Sequence, residues 1–185
     1  MRAQFILVAV LTGLALGGCV RVPPPLAPAP DPAGPYALDS GDRLRVVVFG
    51  QEGLSNSYAV DPSGKITLPL IGAVPARGMT TSEVSQAIAT KLKDGYVREP
   101  HVAVEVEIYR PFFVLGEVAT PGQFSYVPNL TAEGAVAIAG GFSPRALRGP
   151  VEMHRQGSDG ILVASVPLNY PVRPGDTIVV AERWF

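Results

Sequence analysis

One cysteine, one tryptophan and two histidines are all that 185 residues supply of those types. A lone cysteine excludes an intramolecular disulfide framework and a cysteine-built metal site. The two histidines, His101 and His154, have no second donor at metal-ligand spacing, so a histidine metal centre is set aside and no cofactor is expected. A surplus of either charge is also missing: 15 Lys and Arg stand against 16 Asp and Glu, a formal charge of -1. That balance offers no cationic stripe to neutralise phosphates, which removes nucleic acid as a partner. The one long apolar run, Phe5 to Leu16, falls short of the roughly 20 residues of a spanning helix. What is plentiful is apolar side chain, at 47%, enough for a packed core, and punctuation, with 20 Gly and 19 Pro. Such punctuation favours short strands and turns over a helical bundle.

The amino terminus has the layout of an export signal: a positive charge at Arg2, the apolar run, then Gly17-Gly18-Cys19. Leu16-Gly17-Gly18-Cys19 resembles the bacterial lipobox. The resemblance implies removal of residues 1–18 and lipidation of Cys19, whose several acyl chains would anchor firmly where one gives only marginal binding. Val20 follows the cysteine in place of the Asp associated with inner-membrane retention, so the outer membrane of a Gram-negative bacterium is expected, on its periplasmic face. Residues 21–36 hold seven of the 19 prolines. Proline fixes φ and removes amide donors, so residues 19–35 are expected to form an extended tether.

From Tyr36 onward the pattern is that of an α+β chain in two modules. Leu44 to Phe49 is a β-forming run behind the turn Ser40-Gly41-Asp42. Tyr58 to Val60, the turn Asp61 to Gly64, and Lys65 to Ile71 read as a hairpin. Thr80-Thr81-Ser82-Glu83 is a capping box, followed by Val84, Ile88 and Leu92 at helical spacing, with a stop near Gly95. His101 to Ile108 alternates, the valines and Ile108 on one face, Glu105 and Glu107 on the other. The first module is thus expected to be β-β-β-α-β over residues 36–109. After Arg110-Pro111 a second module, residues 110–185, is expected: strands at Phe112 to Val118 and Gln123 to Val127, a helix from Thr131 to Ala139 ended by Gly140-Gly141, then strands near Val151 to Arg155, Ile161 to Val166 and Thr177 to Ala181. Gly41-Asp42 and Gly175-Asp176 each open a β run, with glycine accepting positive φ and the carboxylate positioned for nearby amides.

Leu38 to Val46, Val60 to Gly72 and Arg98 to Val102 resemble the polysaccharide biosynthesis/export domain of outer-membrane polysaccharide export lipoproteins. Val114 to Val118 with Pro121-Gly122, Ala135 to Phe142, and Pro174 to Val180 are similar to the soluble-ligand-binding β-grasp (SLBB) domain that follows it in that family. The resemblance implies a non-enzymatic component of a capsule or exopolysaccharide export channel. Copies would form a homo-oligomeric ring through which the polymer passes, working with an inner-membrane polysaccharide copolymerase. Long members carry a C-terminal membrane-crossing helix; only Glu182 to Phe185 follow the last expected strand, so a separate outer-membrane β-barrel protein is expected to supply the pore.

Two other classes compete. A periplasmic ligand- or glycan-binding lipoprotein would hold its ligand in the β-grasp module. A glycan-processing enzyme would need a carboxylate pair, for which Glu105 and Glu107 are the superficial candidates. A solvated strand face accounts for that pair more simply, and no serine motif resembles a nucleophile elbow, so no catalytic residue is assigned. Cys19, as lipidation site, is the one site residue expected.

Overall fold

The computed structural model describes residues 34–157 and 160–184. The expectations for the signal segment 1–18, for Cys19 and for the tether up to residue 33 lie outside them. Among the described residues no helix is long and apolar enough to cross a membrane.

Alternation along Arg43–Val48 makes strand β1, which turns Leu44, Val46 and Val48 inward and Arg43 and Arg45 to solvent. It is the centre of a three-stranded antiparallel sheet, between β2 (Asn56–Ala59) and β5 (Val102–Ile108). A separate two-stranded ribbon pairs β3 (Lys65–Leu68) with β4 (Gly72–Pro75). Helix α1 (Thr81–Lys93) starts at the expected capping box: Thr80 Oγ1 accepts from the Glu83 amide at 3.3 Å, and Glu83 Oε2 accepts from the Thr80 amide at 2.7 Å. The first-turn Glu83 and last-turn Lys91 and Lys93 complement the helix dipole. Val84, Ile88 and Leu92 are fully buried against Leu38, Leu44, Ile66 and Val74.

Three details of this half differ from the sequence reading. The turn Asp61 to Gly64 forms, with Asp61 Oδ1 accepting from the Ser63 and Lys65 amides at 2.7 and 3.0 Å. It does not close a hairpin, however: β2 pairs with β1, and β3 turns back through Pro69-Leu70-Ile71 to pair with β4. Leu70 takes a positive φ of 68° there and Gly72, which opens β4, one of 66°; leucine at the first of these gives no local sign of the turn. The order is therefore β-β-β-β-α-β, with β4 added. Ile108, placed with the valines by parity, is 54% exposed, because the ladder slips between Arg43 and Leu44 and carries it out of phase.

The second half forms one five-stranded sheet of order β7-β6-β10-β8-β9. Its strands are β6 (Phe112–Gly116), β7 (Gly122–Phe124), β8 (Val151–Gly157), β9 (Gly160–Val166) and β10 (Thr177–Val180). β6 and β10 run parallel at the centre; the other pairs are antiparallel. Parallel neighbours need a crossover, and the chain between them includes α2 (Ala132–Ile138), capped by Thr131 Oγ1 accepting from the Gly134 amide at 3.2 Å. The small Ala132, Ala135 and Ala139 are buried in a second core with Phe112, Val114, Met153 and Ile178. Gly140 and Gly141 end the helix with φ of 84° and 88°. The α+β expectation stands, with the buried apolar residues falling into two separate clusters.

Candidate functional site

The chain passes from β5 to β6 through Arg110, and the two Gly-Asp turns converge there. Gly41 (φ 93°) and Gly175 (φ 85°) both leave room for Arg110: a Cβ on Gly175 would stand 2.6 Å from Arg110 Nε, and one on Gly41 3.5 Å from Arg110 Cβ. Beneath each glycine is an aspartate removed from solvent, Asp42 at 0% and Asp176 at 1% exposure. Asp42 Oδ2 accepts from the Asp39 amide at 2.9 Å and from the Tyr36 hydroxyl at 2.7 Å, while Oδ1 accepts from the Arg110 amide at 2.9 Å. Arg110 Nη1 donates to Asp42 Oδ2 at 3.3 Å and to the Tyr36 hydroxyl at 2.9 Å. Asp176 repeats the pattern: Oδ2 accepts from the amide three residues upstream, Arg173, at 2.7 Å, and Arg155 donates Nε at 2.9 Å and Nη2 at 2.6 Å in a bidentate pair. Burying a carboxylate is tolerable only when it is ion-paired and its lone pairs are filled, and both aspartates meet that condition.

Aromatic rings continue the joint. Tyr36 meets Tyr109 edge-on at 5.2 Å between centroids, and Tyr109 meets Tyr126 at 5.3 Å. Arg110 sits 5.8 Å from the Tyr36 ring centroid, within cation-π range. Above the joint opens a cleft of about 680 Å³ whose wall includes Tyr36, Asp39, Arg77, Arg110, Arg155 and Arg173. Arg77 Nε donates to Asp39 Oδ1 at 2.9 Å, and its Nη2 donates to the Ser40 hydroxyl and to the Pro62 carbonyl. Burial lowers the Arg155 pKa, but the Asp176 carboxylate outweighs it and holds the guanidinium above its ordinary value.

Burial, followed by the hydrogen bond to Asp42, pushes the Tyr36 hydroxyl far above its ordinary pKa of 10.0. The sign follows from linkage: an acid whose folded pKa is raised contributes stability in full below its unfolded value, and that contribution is lost as pH rises past it. Stability is therefore expected to fall as pH rises from about 10, more steeply in the natural chain than in Tyr36→Phe. Chemical denaturation at pH 8 and pH 11 measures this, and equal losses in both proteins would remove Tyr36 as the cause.

The chemistry available is that of a joint and an arginine-lined cleft in which Arg77, Arg110 and Arg155 are ion-paired to Asp39, Asp42 and Asp176. Carboxylates that accept from several fixed donors are neither free bases nor open metal ligands. The residues weighed for catalysis do not gather here. Glu105 and Glu107 lie exposed on β5 with no ion pair among the described residues. His101 is exposed just before that strand. His154, on β8, bonds Glu152 at 2.6 Å. Cys19 lies outside the described residues. The Gly-Asp turns were visible in sequence. The arginines were not, since Arg110 and Arg155 stand 68 and 21 residues from their aspartates.

The two Gly-Asp turns, one from each of the two sheets' halves of the chain, thus both lie against Arg110. Residues 30–107 match the family model described as Polysaccharide biosynthesis/export protein. It is similar to the Exopolysaccharide production protein ExoF of Rhizobium meliloti (strain 1021), 40% identical over 121 residues covering 59% of this chain and 29% of the relative. It is also similar to the Polysialic acid transport protein KpsD of Escherichia coli, 29% identical over 111 residues covering 59% of this chain and 20% of the relative. The chain thus spans less than a third of either relative's length.

Proposed function

We propose that this protein is a non-enzymatic component of a polysaccharide export apparatus. It would be held by a lipidated Cys19 on the periplasmic face of the outer membrane and assembled as a ring around the path of a capsular or extracellular polysaccharide. The observation that carries the reading is the match of residues 30–107 to the export family, together with two relatives named for exopolysaccharide production and polysialic acid transport. Residues 36–109 are read as the export domain and residues 110–185 as a β-grasp domain of the SLBB kind. The mixed sheet of the second unit, with its first and last strands parallel at the centre and a helix on one face, supports that second assignment. An inner-membrane copolymerase is the expected partner. A hydrated polymer that must keep moving calls for polar walls and for no tight site, which agrees with a chain whose charges are balanced.

Deletion of the gene is expected to abolish surface or secreted polysaccharide, and the natural chain to restore it. Cys19→Ala is expected to move the protein from the membrane to the soluble fraction and to fail in restoration. Unchanged polysaccharide after deletion would overturn the reading. The arginine-walled cleft favours a second reading, a periplasmic glycan-binding lipoprotein. Calorimetric titration with acidic and neutral oligosaccharides separates the two: a discrete, saturable, stoichiometric site supports the binder, and its absence supports the conduit.

A further inference from the structure

We propose that β9 is an assembly edge and that strand β5 of a second copy pairs with it, joining copies head to tail; this rests on the ring reading above. β9 ends the five-stranded sheet, runs seven residues, and contains neither a charged residue nor a proline. Edges of that kind are ordinarily shortened, charged or covered, because their unpaired backbone groups are a template for another strand. The opposite edge of the same sheet is treated that way, since β7 has three residues and follows Pro121.

Hydrogen bonds already described by the ladder fix which groups are open. The amides of Phe113 and Glu117 donate to the carbonyls of Asp176 and Val180 at 2.9 and 3.0 Å, so even-numbered residues of β10 face β6. Thr177 and Val179 then face β8, opposite His154 and Glu152. Met153 and Arg155 must face β9, across from Ala164 and Leu162. The amides and carbonyls of Ile161, Val163 and Ser165 therefore point out of the sheet, and among the described residues nothing bonds to them. Ile161 is 68% exposed beside them.

An occupant needs donors and acceptors at every second residue. Residues 20–33 of the same chain contain six prolines and cannot supply that row of N–H groups. Strand β5 can. It is an edge of the three-stranded sheet and has seven residues without proline. The Phe49 amide donates to the His101 carbonyl at 3.0 Å, so Val102, Val104 and Val106 face away from β1. The Ser85 hydroxyl, on α1, takes the Val102 carbonyl at 2.7 Å, while among the described residues no hydrogen bond engages the outward amides and carbonyls of Val104 and Val106. Pairing β5 with its own copy would bring Glu105 and Glu107 against like charges, whereas β9 has no charge to oppose them. Joining two different edges is heterologous, so it propagates and closes into a ring where the rotation allows; pairing β9 with itself would stop at two.

The test uses the purified, lipidated full-length chain in detergent, with native mass spectrometry. Val163→Pro and Val104→Pro each remove one outward N–H while leaving the inward ladder of that strand. The natural chain is expected to form assemblies larger than a dimer. Each variant alone should be monomeric at a concentration at least ~10-fold above that at which the natural chain assembles. An equal mixture of the two should give heterodimers and nothing larger, because each retains the edge the other lacks. Val104→Pro remaining dimeric by itself would show β9 pairing with β9 and overturn the assignment of β5. Assembly unaffected by either variant would overturn the edge while leaving the ring standing, and a natural chain monomeric throughout would overturn both. Val104 packs on the first core, so if its variant does not fold, amide exchange decides. Protection at Val104, Val106, Ile161, Val163 and Ser165 in the natural assembly, absent in monomeric Val163→Pro, supports the proposal, and equal exchange overturns it.

Discussion

Asp42→Ala is expected to destabilise the chain by about 3–5 kcal/mol, the range found when one partner of a buried ion pair is removed. The substitution strands more than Arg110. The Tyr36 hydroxyl and the amides of Asp39 and Arg110 all lose the oxygen they donate to. Each buried donor left without an acceptor costs about 1–3 kcal/mol, and the alanine methyl can replace none of them. Asp42→Asn keeps the shape and one carbonyl acceptor, so its loss should be intermediate. Urea unfolding followed through the near-ultraviolet signal of Tyr36, Tyr109 and Tyr126 reads the joint directly. A loss below about 1 kcal/mol, the net worth of a single ordinary hydrogen bond, would mean that the joint is not held by this aspartate.

Gly116→Ala is the second large effect, and its origin is backbone rather than charge. Gly116 ends β6 at φ 83°, and a Cβ there would lie 2.1 Å from the Val180 carbonyl oxygen. That oxygen accepts from the Glu117 amide at 3.0 Å, so it cannot swing aside without opening the β6-β10 ladder. Left-handed backbone with a side chain costs roughly 1–2 kcal/mol before any overlap is counted. A total loss of at least ~3 kcal/mol is expected, among the larger effects of point substitutions. Gly122→Ala is the control, because its φ is not positive and nothing lies within 4 Å of the added carbon. Thermal unfolding of the two variants side by side settles it: similar midpoints would mean that the close approach of β6 to β10 does not exist.

Much of this architecture is legible from local chemistry. The capping box at Thr80, the four-residue spacing of Val84, Ile88 and Leu92, and the paired glycines after α2 each act within a few residues, so a linear reading finds them. The Asp61 turn is of the same kind. The strand after it does not close a hairpin, because the partner of β2 is chosen by the core and not by the turn. The actual reversal takes positive φ at both Leu70 and Gly72, and only the glycine is legible as a turn residue. Ile108 obeys the period of two in sequence and departs from it in space, through a slip in a ladder whose other strand lies more than sixty residues away. The joint divides in the same way. Gly41-Asp42 and Gly175-Asp176 were readable as turns, but nothing local says that both close on Arg110.

Strand β1 pairs with β5, and β6 pairs with β10, so in each unit the earliest strand gains one of its two neighbours only when the latest has been delivered. Contacts of such long separation slow folding. Neither sheet can therefore lock prematurely around part of its chain, and Arg110, lying between the two sets of strands, finds Asp42 only when β5 is in place beside β1. The order of synthesis is thereby written into the order of closure: a chain emerging amino terminus first leaves each sheet unsealed until that unit has been delivered in full.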